Sequence, residues 1–177
     1  MPDIKEREIN TIGFQTGQEI RIFTIGDREM GVSEANVAAV KDISEREATR
    51  CQQRAGVCLK DFGGFWTNLA TLFNGPLAEY NNRLLRKMTL PVMVPKGIGL
   101  SQLPDSGARF LVVLSSGNWH GVILCSQVHE QPILLGSFTP SRNGDVSGLI
   151  ERSNVDDILL IDVISLLKRE GFLTVVV

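Results

Sequence analysis

The chain of 177 residues has little of the residue types that mark a specialised class. Cysteine occurs three times, as Cys51, Cys58 and Cys125, an odd number in no metal-ligand spacing. That excludes a disulfide scaffold and leaves reduced thiols. His120 and His129 are the only histidines and form no ligand pair, so zinc is unsupported and no cofactor is implied. Net charge is −2 without a Lys/Arg cluster, which argues against nucleic acid or an anionic membrane as the main partner. No apolar run reaches the length of a membrane span, so no membrane insertion is expected. The acidic opening Met1-Pro2-Asp3-Ile4-Lys5-Glu6 lacks the basic and apolar parts of a secretory signal. The expectation is a chain that stays in the cytoplasm or is exported without a cleaved signal peptide. Internal repeats and low-complexity segments are absent.

What the sequence does contain is 43% hydrophobic and 21% charged residues, enough for one globular domain with one good core. A single domain over 1–177 is expected, with 1–49 as an N-terminal extension of unassigned role. Residues 18–25 alternate polar and apolar side chains up to Gly26-Asp27 and read as a half-buried strand. Ser33 predicts the N-cap of a helix through Ala35, Val37, Ala38 and Val40, and Ser44-Glu45-Arg46-Glu47 has the form of a capping box. Leu77, Tyr80, Leu84, Leu85 and Met88 give an amphipathic helix, and the glycines and prolines from Pro91 to Gly107 an irregular connection. The chain then changes character. Residues 110–114, 121–125 and 132–136 are short β-branched runs split by turn residues, which predict an antiparallel meander. A helix over 154–170 ended by Gly171, then a strand over 172–177, closes the chain.

One stretch carries candidate chemistry. Ala55-Gly56-Val57 leads into Cys58, and apolar residues follow at Phe62, Phe65, Trp66, Leu69 and Phe73, three and four apart. That spacing predicts a core helix headed by Cys58. The unpaired N–H groups of a first helical turn stabilise a thiolate and donate to a developing oxyanion. The competing reading is a packing cysteine, since free cysteines are among the most buried residues. His120 begins a predicted central strand, where a partly buried, hydrogen-bonded histidine is the alternative. His129 falls in a turn beside Glu130 and suits an exposed structural role.

Helices first and a sheet second, with a Cys heading a helix and a His on a strand, resembles the papain-like cysteine peptidase superfamily. Gln52 stands six residues before Cys58, the offset of that family's oxyanion glutamine. Gly56-Val57-Cys58 with Trp66 is similar to the nucleophile region of the papain-like peptidases that bacteria deliver as effectors. Residues 117–124 and Phe138-Thr139-Pro140-Ser141-Arg142-Asn143-Gly144 look like the family's histidine strand and the turn after it. The resemblance implies an α+β fold, with N-terminal helices packed on a C-terminal antiparallel sheet. It also implies a cysteine-dependent hydrolase, a peptidase or amidase acting on a protein or peptide substrate as a secreted bacterial effector. Cys58 would be the nucleophile, His120 the general base and acid, and Gln52 with the Cys58 N–H the oxyanion donors. The orienting residue would be Thr139, which stands where the family has aspartate, or Asn143 or Asp145. The short separation of Cys58 and His120 makes the compact papain-like amidases that cut peptidoglycan cross-bridges the nearest rival. A reading from a different class is a non-catalytic interaction module, such as a secretion chaperone, adaptor or immunity protein, in which the same residues only pack.

Overall fold

Strands predominate in the computed structural model, which describes residues 13–54, 56–58, 89–99 and 107–173. The alternating run near the N-terminus forms β1 (Glu19–Ile25), and the Gly26-Asp27 turn returns it as β2 (Arg28–Ser33) in an unbroken antiparallel register. These two lie inside a seven-stranded sheet with β8 (Gln127–Val128), β9 (Ile133–Leu134), β10 (Thr139–Asn143), β11 (Val146–Ile150) and β12 (Ile158–Ile161). Its order is β10-β11-β12-β2-β1, with β8 and β9 both on the far side of β1. Only the β12–β2 pairing is parallel among the described strands of this sheet.

The second sheet has the order β13-β7-β6-β3, built from β3 (Val37–Asp42), β6 (Phe110–Ser116), β7 (Trp119–Cys125) and β13 (Phe172–Leu173). β6 and β7 join through Gly117-Asn118, where Gly117 at φ 59° supplies the left-handed backbone of a tight hairpin. A short pair, β4 (Gly56–Cys58) with β5 (Thr89–Pro91), lies beside them, and Val92 bridges in parallel to Val122.

Period-two alternation divides the interior. Val112, Leu114, Ile123 and Cys125 face Phe23, Met30 and Val32 of the larger sheet, with Leu166 and Leu167 of helix α2 (Val163–Glu170) closing that cluster. Leu111, Val113, Val122 and Leu124 point the other way, to Ile43, Leu90, and Ala48 and Cys51 of helix α1 (Glu45–Arg54). The outer face of the larger sheet has its own cluster around Ile20, Ile22, Leu135 and Leu160.

The α+β arrangement of N-terminal helices on a C-terminal sheet is therefore corrected to a mainly β framework, in which residues 19–25, 28–33 and 37–42 are strands. Ser33 makes no side-chain cap bond, and a single 3₁₀ turn at Glu34–Asn36 leads straight into β3, because Val37–Asp42 is held by pairing with β6. The expected 154–170 helix begins only at Val163, where the Asp162 side chain caps Ser165 N–H. Ile158–Ile161 is instead a strand buried on both faces, which a helical reading of its apolar run cannot separate from a helix. The meander is corrected too: β6 and β7 pair as expected, but β9 leaves them to pair with β1. The capping box does form, with Ser44 Oγ accepting from Glu47 N–H and Glu47 Oε1 from Ser44 N–H, each at 3.1 Å. The expected helices over 62–73 and 77–88 lie outside the described residues. Among the described residues no helix is long and apolar enough to cross a membrane.

Candidate functional site

Cys58 is a strand residue: it ends β4, with its backbone opposite Thr89. Gln52 is half-buried on α1. His120 lies inside the smaller sheet, opposite Ser115 on one side and Phe172 on the other. Its side chain is 1% exposed, its Nδ1 stands 2.7 Å from Ser115 Oγ, and burial lowers its pKa to about 4. It is therefore a neutral imidazole at physiological pH, engaged across a strand pair. Thr139 stands in the other sheet, on the outermost strand β10, where its exposed hydroxyl donates to Glu151 Oε1 at 3.4 Å. His129 is exposed, and its carbonyl accepts from Arg21 Nη1 at 2.9 Å. Cys125 is buried, which pushes its thiol pKa far up. No grouping of His, Cys, Asp and Glu able to hold a metal ion occurs among the described residues.

The polar centre of the molecule lies elsewhere, at Asp145. This side chain is 0% exposed. Its Oδ1 accepts from Arg169 Nη1 at 2.5 Å and from Ser165 Oγ at 3.3 Å, and its Oδ2 accepts from Lys96 N–H at 2.7 Å. Its backbone N–H donates to Lys96 O, and its carbonyl accepts from Asp162 N–H. One residue thus ties the 95–99 segment, the β10–β11 hairpin and α2 together. The close approach needs glycine on both sides: a Cβ at Gly97 (φ +92°) would fall 2.0 Å from Asn143 O, and one at Gly144 (φ +61°) 2.7 Å from Lys96 O. The Arg169 guanidinium pKa is raised, first by its bond to Asp145. Asp145 was one of three candidates for orienting an imidazole, yet its acceptors serve this tie. Sequence reasoning gave Arg169 a local part only, as a cation in a helix's last turn, because its partner is distant in the chain.

Beside the tie, a cavity of about 440 Å³ opens at the rim of the larger sheet, lined by Gly97, Asn143 and Val146 on the side of the hub and by Arg28, Asp156 and Asp157 across from them.

The papain-like assignment, with its thiol-protease and effector reading, does not survive this geometry. It required a helical first half with Cys58 at a helix start, whereas the described first half is mainly strand, with one helix at Glu45–Arg54, and Cys58 is in a strand. The cysteine-hydrolase function rested on that architecture and falls with it. No family model matches the chain, and no curated protein matches it. Among solved structures it is similar to the scaffolding protein TtCheW from Thermoanaerobacter tengcongensis, at 14% identity over 82% of this chain and 88% of that one, with a TM-score of 0.45.

Proposed function

We propose that the chain is a non-catalytic protein-interaction module of the adaptor kind. The observation that carries this reading is the outer strand β9. Ile133 is 42% and Leu134 68% exposed there, on a backbone fixed to β1, and no described strand pairs beyond it. An aliphatic edge strand on a rigid support is a docking template, since a partner gains main-chain hydrogen bonds and apolar burial together. Arg21 stiffens the adjoining loop by donating to His129 O and Glu130 O while its other nitrogens pair with Glu34. The buried polar groups fit the same reading. His120 is engaged with Ser115, and Asp145 joins three segments of the fold.

A photo-cross-linker at position 134 tests it. Reproducible capture of one specific protein in the native cell is expected, reduced by Leu135-sparing changes such as Ile133→Arg and unaffected by Cys58→Ala. Stoichiometric labelling of Cys58 by an electrophilic peptide probe, lost in a His120→Ala variant, would refute it.

A further inference from the structure

The rim cavity next to the Asp145 hub has a floor of Val146, Leu149 and Leu159 and a polar mouth. Val155 stands at its lip, 60% exposed. The mouth is held in place before anything binds: Arg152 Nε donates to Asp156 O at 2.9 Å, Arg152 Nη2 to Glu29 Oε1 at 3.1 Å, and Arg152 N–H to Asp157 Oδ1 at 3.4 Å. Arg28 is different. Its Nη1 stands 3.9 Å from Asp156 Oδ2, beyond hydrogen-bond distance, and its Nε is enclosed without a partner. Arg21 on β1 and Arg152 in the loop before β12 close their guanidinium groups on carboxylate and carbonyl oxygens. An enclosed, unmatched donor is uncommon in a folded protein, and the side chain that carries it lines the cavity, 31% exposed.

We propose that this cavity docks a segment of a partner polypeptide carrying a Lys or Arg side chain next to an aliphatic residue. The long stem of such a side chain lies along the apolar floor while its head reaches Asp156 and Asp157. Two carboxylates against one guanidinium leave the mouth negative, which favours a basic segment and repels an acidic one. The Arg28 guanidinium, paired with Asp156 only at 3.9 Å, offers its outer nitrogens to a main-chain carbonyl of the same segment, and Val155 covers the flanking aliphatic side chain. The fixed loop lowers the ordering cost of the encounter. This inference rests on the reading of the chain as an interaction module but concerns a surface separate from β9.

The test is fluorescence anisotropy with the full chain and two labelled, end-blocked peptides, Ala-Val-Lys-Val-Ala and Ala-Val-Glu-Val-Ala. The lysine peptide is expected to bind about fivefold or more tightly, with an advantage that shrinks as salt is added. Asp156→Asn with Asp157→Asn should abolish that advantage, and Val155→Ser should weaken both peptides, while Ile133→Ser changes neither. Unaltered melting temperatures establish that the variants fold. Equal binding of the two peptides, wild-type affinity in the double variant, or no binding of the lysine peptide at about 1 mM overturns the site. Partner capture through position 134 that ignores the Asp156 and Asp157 changes leaves the module reading standing and removes this site alone.

Discussion

Replacing Asp145 by alanine tests the tie that joins the 95–99 segment, the β10–β11 hairpin and α2. The carboxylate is fully buried and accepts two short charge-assisted bonds, from Arg169 Nη1 at 2.5 Å and Lys96 N–H at 2.7 Å. Hydrogen bonds to a charged group contribute about 1.5–3 kcal/mol each, and breaking a buried ion pair costs about 3–5 kcal/mol. The Arg169 side chain is 29% exposed, so water recovers part of its hydration once the partner is gone. The expected loss for Asp145→Ala is therefore about 3 kcal/mol. Arg169→Ala strands the buried carboxylate with Lys96 N–H and Ser165 Oγ still in place, and should cost about 2 kcal/mol. The double variant should cost less than the sum by about 1 kcal/mol or more, because both single changes break the same pair. Urea unfolding of the four proteins at neutral pH measures all three quantities. A loss below about 1 kcal/mol for Asp145→Ala, or strict additivity, would show that the tie does not hold these segments.

Gly97→Ala should destabilise by about 2 kcal/mol more than Gly17→Ala in thermal melts, since both sit near φ +90° but only Gly97 has a carbonyl 2.0 Å from the new Cβ. The pKa of His120 falls from 6.5 to about 4 on folding, so the unfolded chain binds its proton first as pH drops. Stability from this group is complete above pH 6.5 and is lost between there and about pH 4, by up to about 3 kcal/mol. Unfolding free energies across that range should fall more steeply for the wild type than for His120→Gln; parallel profiles would contradict the burial argument. Cys125, buried with its pKa pushed up, should resist alkylation until the chain unfolds, which mass spectrometry with and without urea reads directly. Ser44→Ala should cost about 1 kcal/mol by removing one half of the α1 capping box, measured as a shift in denaturant midpoint.

Elements that depend on near neighbours were legible in the sequence. The alternation before Gly26-Asp27 marked β1, the runs around Ser115-Ser116-Gly117-Asn118 marked the β6–β7 hairpin, and Ser44 to Glu47 marked the start of α1. Each is specified by side chains a few positions apart, or by a turn that brings its two strands together. Packing decided the rest. Val37–Asp42 follows a residue suited to cap a helix, yet is a strand because β6 offers it a ladder, and Ile158–Ile161 is a strand because both of its faces meet apolar clusters. The helix start proposed for Cys58 failed for the same reason: its pairing with the backbone at Thr89 is invisible to local spacing. Asp145 and Arg169 have no relation in sequence until the hairpin and α2 are laid side by side. Local chemistry thus determined which residues turn, cap and alternate, while contacts between distant segments determined which strands pair and where buried charge comes to rest.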